Sequence, residues 1–218
     1  AKRSISAEIK RRKDLRDLLI VTIDGEDTRD IDDAVSLERL GTEYLLGVHI
    51  ADVSHYVKYR SPLDKEAFSR GTSVYFPDRV LPMLPRALSN GSCSLNEGED
   101  RLTLSCIMRV DKKGAVKDSE IVKSVIRSAH RMTYTEVTQI LNGDEETCKK
   151  YADVKDMIFL FAELTNILKT MREKRGSIEL DVKEAKIMLD DDGNIVIPDY
   201  ERSLSHEIIE QFMVLANE

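Results

Sequence analysis

Six carboxylates crowd residues 24–33 of this 218-residue chain: Asp24, Glu26, Asp27, Asp30, Asp32 and Asp33, in the run IDGEDTRDIDDAV. Acids brought this close repel one another unless divalent cations neutralise them. Hard oxygen donors select Mg²⁺ or Mn²⁺ over zinc. Two such ions held side by side are the usual machinery for in-line displacement at a phosphodiester. A solvated acidic surface loop is the competing reading of the same run, and spacing alone leaves both open. A Ca²⁺ loop fits neither here nor at Asp190-Asp191-Asp192-Gly193, where Met188 fills the first ligand position and the segment reads as a turn.

The flanks favour the cation reading. Residues 18–24 (LLIVTID) form a short apolar, β-branched run that suits a buried strand ending at Asp24. Asp32 and Asp33 lead directly into Ala34-Val35 and a second strand-like segment, 32–40, which Gly41-Thr42 separates from 43–52 in a hairpin pattern. Residues 101–110 and 115–128 repeat that pattern around Lys113-Gly114.

Helix signals fill the rest. Residues 6–18 read as a lead-in helix capped by Ser6, its cluster Lys10, Arg11, Arg12, Lys13 forming a solvated or nucleic-acid-facing side. Ser61-Pro62 opens a helix that Gly71 ends. Thr133 and Glu136 form a capping box for a helix to about Leu141. Residues 150–175 carry the longest helical pattern, and 204–217 a last amphipathic helix. Between them, 178–182 and 185–189 read as short strands. The stretch 77–101 is long, irregular and rich in Pro and Gly, as functional loops often are. Together these predict one α+β domain: a mixed, largely antiparallel, hairpin-based sheet with packed helices.

Composition narrows the class. With 41% hydrophobic and 33% charged residues the chain reads as globular, and no apolar run approaches a membrane span. The start AKRSISAEIKRRKD lacks an apolar secretory core. Cys93, Cys106 and Cys148 have no C-x-x-C spacing and read as reduced thiols of a cytoplasmic protein. The net charge of −7 runs against nucleic-acid binding, which usually leaves a basic footprint. Clustered metal-binding acids, or a basic surface elsewhere in a longer polypeptide, reconcile the two.

The acidic run, followed by HIADVSHYV (49–57), the segment 74–105 (VYFPDRVLPMLPRALSNGSCSLNEGEDRLTLS), RGSIELDVKEAKI (175–187) and SHEIIEQFMVLANE (205–218), closely resembles the ribonuclease II/ribonuclease R family. That resemblance spans nearly the whole chain. It implies a catalytic RNB-type domain that hydrolyses single-stranded RNA processively from the 3′ end to nucleoside 5′-monophosphates, with Mg²⁺ (or Mn²⁺). By position, Asp24 and Asp33 look like direct metal ligands, Asp30 like a further member of the aspartate set, and Asp32 like the residue on which the chemical step depends. Tyr75 matches an aromatic beside the 3′-terminal nucleotide, Tyr134 one that stacks on RNA further out, and Glu210 an acid near the terminal ribose. From the bare sequence both tyrosines are packing residues and Glu210 a solvated helix face. Leu180 stands where the family has a phenylalanine that clamps the terminal base.

The same resemblance makes residues 1–18 a lead-in and 19–218 the N-terminal portion of that domain, truncated at its C-terminal side. The family's arginine-bearing half and small RNA-binding barrels would lie beyond it, leaving the carboxylates without nearby cations. Helix 204–217, apolar at Ile208, Ile209, Phe212, Met213 and Leu215, is then expected to expose a face that could self-associate. Two further readings stand: an inactive RNA-binding scaffold domain, and a metal-dependent nuclease acting on DNA.

Overall fold

The computed structural model describes residues 5–77, 79–178, 188–189, 195–196 and 203–218. Two hairpins build its centre. Strands β3 (Asp33–Leu40) and β4 (Glu43–Ala51) turn about Gly41, and β7 (Asp100–Val110) and β8 (Val116–Arg127) turn about Gly114. Both glycines have positive φ, +62° and +87°, a backbone region that side-chain-bearing residues rarely adopt. The hairpins join through β4 and β7, antiparallel with Val48 opposite Cys106.

Short strands complete both edges. On one side β2 (Val21–Asp24) lies antiparallel to β3 and parallel to β9 (His130–Thr133). On the other, β1 (Lys13–Asp14) pairs in parallel with β8. The result is a mixed seven-stranded sheet in the order β1-β8-β7-β4-β3-β2-β9. The expected α+β class, with a hairpin-based sheet and packed helices, is what the chain adopts.

Alternation along the strands decides what each face holds. On one face Val21, Ile23, Val35, Leu37, Leu46 and Val48 pack against helices α4 (Tyr134–Leu141), α6 (Lys155–Lys174) and α7 (Leu204–Asn217). Fully buried Ile158, Phe161, Leu164 and Phe212 form the helical side of that core. Each such side chain contributes about 1.5–3 kcal/mol by leaving water. The capping box that opens α4 is formed: Glu136 N–H donates to Thr133 Oγ1 at 3.1 Å, and Thr133 N–H donates to Glu136 Oε2 at 2.9 Å.

The opposite face is polar at its centre. His49, fully buried, lies 3.1 Å from Ser36 Oγ through Nε2 and 2.7 Å from Ser105 Oγ through Nδ1. Ser105 continues to Ser124 at 2.5 Å. Gly47 makes room for this chain, since a Cβ there would stand 2.4 Å from Ser36 Oγ and 2.7 Å from His49 Nε2. Burial pushes the His49 imidazole down to about 4, so it is neutral at ordinary pH. Beside it a smaller apolar cluster, Leu15, Ile20, Ile31, Ala34, Ala51, Leu95 and Ile126, lies against the acidic loop.

Several elements depart from the sequence reading. The helix expected over 6–18 is only α1 (Ser6–Ile9), with Ile5 rather than Ser6 at the cap position. The chain then turns into β1, and Arg12 is not solvated: it is buried, donating to Asp52 Oδ2 at 2.6 Å and to the Thr103 carbonyl at 3.1 Å. An ion pair to an acid far along the chain outweighs the preference of the basic run for water. The helix expected over 150–175 is α6, which starts at Lys155, and a separate short helix, α5 (Glu145–Lys150), capped by Asp144, precedes it. The irregular 77–101 stretch contains a short ribbon strand and a π-helical turn, Leu88–Ser92. Of the strands expected over 178–182 and 185–189, residues 179–187 lie outside the described residues, and Met188–Leu189 form β10, antiparallel to β11 (Ile195–Val196). Leu180 and the 190–194 turn lie outside the described residues.

The last helix is also corrected. Ile208, Phe212 and Leu215 of α7 are buried in the chain's own core, and Ile209, Met213 and Ala216 pack partly against it. The α7 face expected to be uncovered is thus largely covered by the chain's own core. Among the described residues no helix is long and apolar enough to cross a membrane.

Candidate active site

Asp24 ends β2 and Asp33 begins β3, so the β2–β3 connection carries every acid of the run between two pinned strand ends. Hydrogen bonds from the irregular stretch hold the loop's backbone. Ser94 Oγ donates to the Arg29 carbonyl at 2.9 Å and accepts from Ile31 N–H at 3.1 Å. Leu95 N–H donates to the Ile31 carbonyl and Ala51 N–H to that of Asp32, each at 2.9 Å. Arg101 in turn grips the Ser94 carbonyl at 2.6 Å and the Gly91 carbonyl at 3.1 Å. The long loop is thus a brace for the acidic one.

The four aspartates sit in one another's field but in different settings. Asp24 and Asp33 are half-buried, and each has an Oδ2 atom cut off from solvent with no hydrogen-bond donor. Burial first, then repulsion from Asp33, Asp32 and Asp30, pushes the Asp24 carboxyl up to about 7. Burial and Asp32 raise Asp33 to about 6. Asp32 faces the open side and is raised by partial burial and by Asp30. Asp30 Oδ2 accepts a 2.8 Å hydrogen bond from the Tyr75 hydroxyl, which raises the phenol's pKa.

Buried carboxylate oxygens without donors need a proton or a cation, and their hardness suits Mg²⁺ or Mn²⁺. Asp24 and Asp33 therefore fit the metal that the aspartate run suggested. Among the described residues no three His, Cys, Asp or Glu side chains are yet drawn together tightly enough to hold an ion. The run is gathered around one strand junction, with Asp30 turned to Tyr75 and Asp32 outward.

The remaining candidates are spread around this junction. β2 and β9 run in parallel register with Asp24 opposite Thr133, which places Tyr134 at the start of α4 close by in the fold. The Tyr134 ring stacks on His206, centroids 4.0 Å apart and planes 18° from parallel. Glu210 is half-buried on α7. Tyr75, 65% exposed, stands on β5 (Val74–Tyr75), paired with β6 (Val80–Leu81).

Arg131 on β9 was missed. Its guanidinium donates to the Thr28 carbonyl at 2.6 Å and the Glu26 carbonyl at 3.1 Å, and its charge lowers Asp24 against the other influences. The carboxylates do have a cation beside them, contrary to expectation. No local signal marks it, because HRMT is a four-residue strand whose partner is far away in sequence. Arg131 and Thr133 also line an open cleft of about 540 Å³, with Glu26, His130 and Lys150, beside the acidic loop.

The model of the RNB domain matches residues 12–218. The chain belongs to the RNB domain family. Among curated relatives in that family, ribonuclease R of Thermotoga maritima is 53% identical over 210 residues, which is 95% of this chain and 29% of that protein. The chain thus spans less than a third of that relative's length. Of solved RNB structures, Mycoplasma genitalium RNase R in complex with ribose methylated single-stranded RNA superposes with a TM-score of 0.87 at 32% identity, covering all of this chain and 34% of that one. Yeast Ssd1, described as a pseudonuclease, shares the fold at a TM-score of 0.73 and 17% identity, over 94% of this chain and 25% of that one.

Proposed function

We propose that this chain carries the cation-binding part of a 3′→5′ exoribonuclease site that degrades single-stranded RNA processively to nucleoside 5′-monophosphates. The observation behind the reading is the pair of buried, donor-less oxygens on Asp24 and Asp33. They flank an acidic loop in a chain similar to ribonuclease R over nearly its whole length.

Asp24 and Asp33 would hold Mg²⁺ or Mn²⁺, with Asp30 completing the donor set. Bound there, the cation supplies Lewis-acid polarisation of the scissile phosphate and a more acidic water. Asp32, on the open side, would orient the attacking water and accept its proton. Arg131 offsets part of the negative charge at Asp24 and fixes the loop through the Glu26 and Thr28 carbonyls. The open ring of Tyr75 stacks on the 3′-terminal base and Tyr134 on a base further along, contacts that serve any sequence because every base has a π-face. Glu210 serves the terminal ribose. With a net charge of −7, most phosphate contacts must come from other parts of a longer protein, such as basic RNA-binding barrels. The three free cysteines suit the reducing cytoplasm.

The test is degradation by the full-length protein of matched 3′-tailed RNA and DNA oligomers with Mg²⁺ or Mn²⁺, with the released mononucleotides separated by chromatography. Nucleoside 5′-monophosphates from RNA alone are expected. RNA binding without loss of substrate would leave the scaffold reading in its place, and equal loss of DNA the DNA-nuclease reading.

A further inference from the structure

The Tyr75–Asp30 contact joins two parts of the site that perform different tasks. The β5–β6 arm is apolar and open: Val74, Tyr75, Phe76 and Leu81 are between 43% and 65% exposed. Burial therefore does little to fix it. Local hydrogen bonds of the arm run from Phe76 N–H to the Arg79 carbonyl at 2.8 Å, from Met83 N–H to Ser73 Oγ at 2.9 Å, and from Arg70 to the Pro82 carbonyl at 3.3 Å. The Tyr75 hydroxyl instead reaches the acidic loop, 45 residues back in the chain.

Asp30 needs such a partner. It stands in the field of Asp24 and Asp32, which drives its carboxylate away from them towards water. Asp32 has solvent to turn to, and Asp24 and Asp33 are fixed by strand backbone. Asp30 lies on the connection between those strands, its backbone braced at Arg29 and Ile31 by Ser94 and its carboxylate directed by the Tyr75 hydroxyl. The phenol takes Oδ2 and leaves Oδ1 free.

We infer that Tyr75 is a positioning residue for the carboxylate set, its hydroxyl aiming Asp30 while its ring face stays open, so that occupation by an RNA 3′ end and by a cation are coupled. This rests on the function proposed above, and it adds a role for the hydroxyl that base stacking does not require. The direction follows from geometry. A base stacked on the ring limits the swing of the arm, the hydroxyl stays on Asp30, and one oxygen remains directed at the cation. Binding of either ligand then favours the other by the same factor. Hydrogen bonds of this kind to a ligating carboxylate typically change metal affinity by about 10-fold or more.

Tyr75→Phe separates the two roles, because it keeps the ring and removes the donor. Mn²⁺ binding to full-length protein is measured by calorimetry without RNA, and Mg²⁺ half-saturation and KM for a short RNA are measured in the hydrolysis assay. For Tyr75→Phe, Mn²⁺ affinity is expected to fall about 10-fold and the Mg²⁺ half-saturation point to rise by a similar factor. RNA affinity in EDTA should stay within about two-fold, since stacking is retained, while the gain in RNA affinity that Mg²⁺ brings to the wild type should shrink in the variant. Tyr75→Leu should raise KM as well. Unchanged Mn²⁺ affinity and Mg²⁺ dependence in Tyr75→Phe would overturn the inference. A wild-type protein that binds Mn²⁺ but hydrolyses no RNA would defeat the proposed function, while the calorimetric comparison would still decide the role of the hydroxyl.

Discussion

Replacing Asp24 by Asn should make the cation-free protein more stable at neutral pH. Without a cation, the Asp24 carboxyl is raised to about 7 and that of Asp33 to about 6, each from an ordinary 3.8. Taken singly these shifts correspond to roughly 4 and 3 kcal/mol. Repulsion between the two enters the Asp24 shift alone, since burial and Asp32 account for that of Asp33, and Asp24 keeps some solvent contact. Discounted for that solvent contact, the pair destabilises the ionised fold by about 4–5 kcal/mol. The sign follows from proton binding. Between about pH 4 and 7 the native state holds protons that the unfolded chain has released, so this contribution to stability falls as pH rises. Asp24→Asn abolishes that charge and leaves a neutral amide of the same shape. Its advantage should be about 0.5 kcal/mol at pH 4.5 and about 2 kcal/mol at pH 7.5 in EDTA. Mg²⁺ at 100 times its Kd should restore about 2.7 kcal/mol to the wild type and much less to the variant. Urea titrations of both proteins at pH 4.5, 6 and 7.5, with EDTA or Mg²⁺, give the difference directly. Carboxyls held low by their partners, such as Asp52 and Asp111, act in the opposite sense but are common to both proteins and cancel. A variant less stable than wild type at pH 7.5 in EDTA, or a difference flat with pH, would refute the reasoning.

Asp32→Asn in the full-length protein should lower kcat by ~10²–10⁴ while leaving RNA affinity near wild type, as measured by single-turnover kinetics and binding titrations. Equal loss of both would point to a structural role. Arg131→Met removes two backbone-directed donors and the charge that lowers Asp24, so it should destabilise the fold by about 2 kcal/mol in urea titration. Burial holds His49 at about 4, so the native state binds fewer protons than the unfolded chain between about pH 6.5 and 4. Stability is lost as pH falls through that window, by up to about 3 kcal/mol, and a wild-type minus His49→Gln difference in urea midpoints should show that slope. The 218-residue chain by itself should hydrolyse 3′-tailed RNA at least ~10²-fold more slowly than the full-length protein, because a net charge of −7 leaves the scissile phosphate poorly held. Comparable turnover would place every essential group within these residues.

Elements whose signals are local were legible in the sequence. Both hairpins lie where Gly41-Thr42 and Lys113-Gly114 placed them, and Ser61 and Thr133 cap the helices expected of them. The parallel edges were not legible. β1 and β9 are two and four residues long, too short for an alternation to register, and their partners β8 and β2 lie more than about a hundred residues away. Arg12 shows the same limit in one side chain. A basic run looks solvated until Asp52, 40 residues on, appears beside it.

The site divides along the same line. That the acids belong together is visible in IDGEDTRDIDDAV, because strand-like sequence on both sides forces the run back on itself. What each acid does depends on contacts that spacing does not contain: the missing donors at Asp24 and Asp33, the open side at Asp32, and the phenol on Asp30. The cation that moderates them comes from the least visible strand of the sheet. The architecture itself makes no demand for this charge. The core beneath it is closed by Val21, Ile23, Val35 and Leu37, which would pack as well under a neutral loop. Half-buried carboxylates raised above their ordinary range weaken a fold that has no cation to offset them. They are intelligible as part of the cation site proposed above, whose binding energy would more than offset that loss, and a measurement of cation binding therefore decides between the nuclease and scaffold readings.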